Sequence, residues 1–108
     1  MERRKYLRVL AFSSIRLFTA ERESIFDGDL LDISKGGVCV ANIERLKLES
    51  FSIGQKFEFE LIIGEAQVTG IATIAWLDSD RSSMGLEYVK IFNDEDRSHL
   101  ESLLNSGF

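Results

Sequence analysis

The sharpest pattern in the chain is an alternation. Phe57, Phe59, Leu61 and Ile63 are apolar at every second position, with Glu58, Glu60 and Ile62 between them. A period of two places each set on its own face of a strand, so Phe57–Ile63 is predicted as a half-buried β-strand. Five further segments read as strands. Val9–Thr19 is apolar and β-branched-rich, with Ile15, Leu17 and Thr19 on one face. Ile25–Ile33 follows a polar turn and is broken by Asp27-Gly28. Val38–Ala41 is short and apolar, behind Gly36-Gly37. Ala66–Leu77 starts after Gly64-Glu65, a link that suits a type II′ hairpin turn. It is apolar on both faces from Ile71 to Leu77, so cover on both sides is predicted, from a helix or from a second copy. Met84–Ile91 returns after the polar turn 78–83. Between the third and fourth strands, Asn42–Gln55 has no clean period and is predicted as a long connection with one helical turn.

The last segment changes period. Asn93 is a good N-cap, and Asp94, Glu95 and Asp96 fill a first turn where the helix dipole favours negative charge. Leu100, Leu103 and Leu104 recur at helical spacing, and Gly107 stands where a C-terminal stop belongs. Six short strands and a terminal helix in 108 residues predict a single, mainly β domain, a barrel or a sandwich.

Composition narrows the function classes. Hydrophobic residues make up 44% and charged residues 29%, which excludes a largely disordered chain. No apolar run approaches the ~20 residues of a membrane span, so no membrane insertion is expected. Cys39 stands alone, so neither a disulfide framework nor a cysteine-rich zinc site is expected, and a cytoplasmic setting fits. The net charge of -5 disfavours a nucleic-acid polymer as partner. That average conceals a split. Residues 1–8 carry four basic side chains against Glu2, a local +3, whereas the other 100 carry nine basic and 17 acidic, a local -8. A basic start on an acidic body points to a specific anionic partner. Arg3-Arg4 looks like a twin-arginine export signal, but Ser13, Ser14 and Arg16 interrupt the apolar stretch and no Ala-x-Ala follows.

Catalytic constellations are scarce. His99 lies beside the leucine stripe of the helix without a local partner, and Cys39 sits between Val38 and Val40 as a small hydrophobe. There is no phosphate loop, no metal-ligand pair at helical spacing and no nucleophile elbow. No enzyme activity and no cofactor are expected.

Two short motifs remain: Arg4-x-x-x-Arg8, with Arg3 just before it, and Asp32-Ile33-Ser34-Lys35-Gly36-Gly37. Together they resemble the RxxxR and [D/N]xSxxG motifs of the PilZ family. Ile74–Leu77 and Gly85-Leu86-Glu87-Tyr88 extend the likeness to the family's later strands. The resemblance covers nearly the whole chain in the right order. It implies a six-stranded antiparallel β-barrel closed by a C-terminal α-helix, in a receptor for the bacterial second messenger cyclic di-GMP. Residues 1–8 would form a flexible basic arm, 9–92 the barrel and 93–106 the helix. The ligand residues it implies are Arg3, Arg4, Arg8, Asp32, Ser34, Gly36 and Gly37.

The chemistry of these residues suits that ligand. Arginine forks pair with phosphate oxygens or with the O6/N7 edge of guanine. The opposite guanine edge presents N–H donors, for which the Asp32 carboxylate is the acceptor, with Ser34 adding a hydroxyl contact. Gly36 and Gly37 allow a positive φ or close backbone approach. In the family an additional arginine before RxxxR goes with a stacked pair of ligands, so Arg3 implies two molecules per chain. Lys5 supplies general phosphate attraction or is solvated. Trp76 and Tyr88 are expected as core or rim aromatics rather than stacking platforms.

Ligand binding would order the arm over the barrel and signal to a downstream protein, in control of motility, biofilm or virulence. The rival reading is a PilZ-like interaction module without a nucleotide ligand, as in pilus assembly, although such members usually lack the arginine motif. Monomer and homodimer are both compatible with the sequence.

Overall fold

All six strands expected from the apolar pattern are present in the computed structural model, which describes residues 6–8, 13–19, 21, 23–34, 36–64 and 66–106, with side chains from Ser13 to Ser102. In chain order the elements are β1 (Tyr6–Arg8), β2 (Ser13–Phe18), β3 (Ser24–Ser34), β4 (Gly37–Ala41), α1 (Arg45–Glu49), β5 (Lys56–Ile63), β6 (Ala66–Asp78), β7 (Ser83–Ile91) and α2 (Asp94–Ser106). Strands β2, β5, β6, β7, β4 and β3 are neighbours in that order, and the β3–β4 pairing closes the ring. Every pair is antiparallel. The result is a closed six-stranded barrel, which leaves no open edge among its own strands.

The alternation seen in sequence is the inside–outside alternation of the wall. On β5, Phe57, Phe59, Leu61 and Ile63 are buried and the residues between them are not. They meet Ile15 and Leu17 of β2, Val68, Ala72 and Ile74 of β6, Met84 and Leu86 of β7 and Val40 of β4 in one core. The connection 42–55 closes one end of the barrel. Its single helical turn is α1, which inserts Leu48. Phe51 just beyond it sets its ring edge-on to Phe26 and Phe57, at centroid distances of 5.8 and 5.7 Å.

Helix α2 starts as its sequence predicts. The Asn93 side chain accepts the Asp96 N–H at 2.7 Å, a side-chain N-cap. Asp96 in turn accepts the N–H and the hydroxyl of Thr69, which ties the helix to β6. Leu100 is buried, and His99 beside it is exposed. The side chains of Leu103 and Leu104, and Gly107, lie outside the described residues. Helix α2 is thus tied to β6 at Thr69, just before the run Ile71–Leu77 for which cover is predicted.

Two features differ from the expected elements. Tyr6–Arg8, placed within the basic arm, is a short strand paired antiparallel with β3. The expected start of the first strand at Val9 falls outside the described residues, and β2 itself begins at Ser13.

Tyr88 stacks on Phe59 at 5.5 Å, and its hydroxyl is buried with no hydrogen-bond partner among the described residues. Burial pushes the phenol pKa above its ordinary value of about 10. The unfolded chain therefore releases this proton first, and folding stability falls as pH rises through the ordinary tyrosine range. Tyr88→Phe removes an unsatisfied group, so it is expected to match or exceed the parent by up to about 1 kcal/mol at pH 7. Thermal midpoints at pH 7 and in the alkaline range check this. The variant should lose less than the parent at high pH, and an equal loss in both would refute the assignment.

Candidate functional site

The site is built on the outer wall of the barrel, along a single cross-strand row. Arg8 of β1 lies opposite Asp32 of β3, Asp32 opposite Cys39 of β4, Cys39 opposite Gly85 of β7, and Gly85 opposite Trp76 of β6. Paired residues in such a row sit about 5 Å apart, so five positions scattered through the sequence become a strip.

Two β-bulges aim the strip. The β3–β4 register shifts between Leu30 and Asp32, and the β6–β7 register shifts between Ile74 and Trp76. Each shift inserts one extra residue, Leu31 and Ala75, opposite a single partner. Leu30 and Ile33 both stay in the core, which leaves Leu31 and Asp32 on the outside. Trp76 is likewise 41% exposed although Ile74 is buried.

Two glycines shape the floor. A Cβ on Gly85 would lie 2.1 Å from the Trp76 Nε1, so the indole rests directly on the glycine backbone. A Cβ on Gly37 would lie 1.9 Å from the Leu86 carbonyl oxygen, so only glycine lets β4 and β7 close at this level. Gly36 differs from the expectation for it. Its φ is not positive, and a Cβ there would meet nothing within 4 Å. Its peptide is nonetheless fixed, because its carbonyl accepts the Tyr88 N–H at 2.9 Å.

Ser34 folds the loop between β3 and β4. Its hydroxyl donates to the Gly37 carbonyl and accepts the N–H groups of Gly36 and Gly37, each at 3.2 Å. A hydroxyl has one proton and two lone pairs, so these bonds occupy it fully. The motif serine is thus engaged in holding the glycine loop against β7.

Asp32, Ser34, Gly36, Gly37, Cys39, Trp76, Gly85 and Glu87 line a cavity of about 390 Å³, within the size range of small-molecule sites. Burial pushes the Cys39 thiol pKa up, and the neighbouring Asp32 carboxylate adds to the rise. The thiol is therefore kept protonated at neutral pH. No group of three or more His, Cys, Asp or Glu among the described residues could hold a metal ion. No helix among them is long and apolar enough to cross a membrane.

Of the sequence-predicted site residues, the structure brings together Asp32, Ser34, Gly36 and Gly37, with the Arg8 backbone alongside. Arg3 and Arg4 lie outside the described residues, as do Lys5 and Lys35. Trp76, expected as a core or rim aromatic, stands at the rim, 41% exposed beside the cavity, and Glu87, which the sequence did not single out, lines the cavity with it. For Trp76 the available signal was the run Ile71–Leu77, whose second apolar face ends in a tryptophan.

The PilZ domain family model matches residues 2–106. Among solved structures, the Bacillus subtilis inhibitor of motility MotI/DgrA is 24% identical, with a TM-score of 0.72 over 98% of this chain and 51% of that one. The K. pneumonia MrkH–c-di-GMP complex is 21% identical, with a TM-score of 0.70 over 98% of this chain and 52% of that one. The PilZ domain of YcgR from Escherichia coli, solved with c-di-GMP, is 14% identical, with a TM-score of 0.66 over 98% of this chain and 92% of that one. The chain spans about half the length of MotI and MrkH. No curated protein matches it.

Proposed function

The chain belongs to the PilZ domain family, and from that premise we propose that it is a cyclic di-GMP receptor whose ligand lies on the outer wall of the barrel. The observation that carries this reading is the pairing of Arg8 with Asp32, which joins the two motifs although 24 positions separate them. A strong phosphate and guanine binder and a strong acceptor for guanine N–H groups then serve one ligand. Asp32 takes the N1–H and N2–H of a guanine, and Trp76 offers a face on which a base can stack. Ser34 acts by holding the Gly36-Gly37 loop open rather than by reaching the ligand itself. Arg4 and Arg8 hold phosphates or a guanine edge, and Arg3 serves a second, stacked ligand molecule.

The receptor acts in the cytoplasm by drawing the arginines of its basic start onto the ligand and presenting the altered surface to a protein partner, in motility, biofilm or virulence control. The similarity to structures solved with c-di-GMP supports the ligand class.

Trp76 is the one tryptophan of the chain, so its fluorescence reports on this site alone. Titration with cyclic di-GMP is expected to change the emission saturably, whereas GMP and single-stranded oligonucleotides leave it unchanged. No change and no heat of binding with cyclic di-GMP would overturn the reading. Calorimetry is expected to return two molecules per chain, and a value near one would remove the stacked pair but not the receptor.

A further inference from the structure

Glu87 has no part in either motif, yet it lines the cavity that Asp32 lines. It lies two strands from Asp32 and two residues further along, which sets the two backbones ~12 Å apart. That span suits two acidic side chains reaching toward opposite ends of one nucleoside. Gly37 stands directly across from Glu87 in the β4–β7 register and contributes no side chain beside it. The Glu87 side chain is exposed, and no hydrogen bond or ion pair among the described residues engages its carboxylate. No lysine or arginine is among the described residues lining the cavity.

An ionised carboxylate is an acceptor only. It repels phosphate oxygens, and it can form no hydrogen bond with guanine O6, N7 or N3. The donors of cyclic di-GMP are few: the base N1–H, the N2 amino group and the ribose 2′-hydroxyl. Asp32, as read above, spans N1–H and one N2–H as a bidentate acceptor. On that one nucleoside, which the ~12 Å separation spans, the ribose 2′-hydroxyl is then the donor left for a second carboxylate, the pairing that acidic residues make with ribose in dinucleotide folds, and the second guanine's N–H edge is the alternative that the inosine analogue tests.

We propose that Glu87 accepts the ribose 2′-hydroxyl of bound cyclic di-GMP and sets a preference for the ribose ligand over its deoxy form. The assignment rests on the receptor reading of the same site. It is tested by a cycle in which the parent chain, Glu87→Ala and Glu87→Gln are each titrated with three ligands: cyclic di-GMP, its 2′-deoxy analogue and the inosine analogue that lacks the N2 amino group. The parent is expected to bind the ribose form about tenfold more tightly than the deoxy form, the effect of one charge-assisted hydrogen bond. Glu87→Ala should weaken cyclic di-GMP about tenfold and bind the ribose and deoxy forms equally. Glu87→Gln, which keeps an acceptor oxygen, should retain part of the preference. A full ribose preference in Glu87→Ala overturns the assignment, as does loss of discrimination against the inosine analogue instead. Failure of the parent itself to bind cyclic di-GMP is a separate result, and it overturns the receptor reading along with this one.

Discussion

Asp32→Ala is expected to weaken cyclic di-GMP binding by about a hundredfold, the largest loss expected from removing a single ligand contact in the described part of the site. Truncating one partner of a desolvated, charge-assisted pair costs about 2–5 kcal/mol, and each 1.4 kcal/mol is a factor of ten. Asp32 is half-buried, and the bulge after Leu30 turns it onto the outer wall of the barrel. A water molecule replacing the carboxylate could not reproduce its bidentate geometry. The same substitution has a second readout that needs no ligand. The Asp32 charge helps to hold the Cys39 thiol pKa up, so its removal lowers that pKa. Alkylation of Cys39 in mildly alkaline buffer should be faster in Asp32→Ala than in the parent. In the parent, saturating cyclic di-GMP should slow it. A binding constant within threefold of the parent would show that Asp32 does not read the ligand, whatever the thiol does.

Gly37→Ala is expected to lower stability by about 3 kcal/mol or more and to abolish ligand binding with it. The new methyl would lie 1.9 Å from the Leu86 carbonyl oxygen, a backbone atom that no rotamer change can move. Overpacking of even a well-placed methyl group costs about 1–3 kcal/mol, and this one opens the seam between β4 and β7. For a domain of this size the loss corresponds to a fall of about 12–20 °C in Tm. Gly36→Ala is the matched control. Its methyl would meet nothing within 4 Å and its φ is not positive, so a change within about 0.5 kcal/mol is expected. Equal behaviour of the two alanine variants, by thermal melting, would contradict the close approach at Gly37.

Much of the fold was legible because its signals are local. Phe57–Ile63 announced a strand through its period of two, and Asn93 with three following acids announced the start of α2. Both depend on residues within a few positions of each other. Asp32, Ser34 and Gly37 were legible as a motif for a related reason, since the serine acts on the peptides two and three residues on. The role of that serine was less legible. A hydroxyl in a binding motif looks like a ligand contact, and only its three partners show that the loop already uses it.

Trp76 and Glu87 could not be assigned from their neighbours in sequence. Trp76 ends an apolar run, which is the signature of burial, and it would point inward if β6 were regular. The register shift after Ile74 turns it outward, and Gly85 on another strand makes the seat for its ring. Glu87 looks like any solvated strand residue until Gly37 is found opposite it.

The sequence by itself determined the strands, the terminal helix, the apolar lining of the barrel and the two motifs, because period, capping and turn chemistry act over a few residues. The tertiary structure alone decided which residues meet. Barrel closure sets one register for every strand pair, and the bulges at Leu31 and Ala75 are part of that solution. Arg8, Asp32, Cys39, Gly85 and Trp76 fall in one row only once the ring is closed, since each alignment depends on hydrogen bonds between strands distant in the chain.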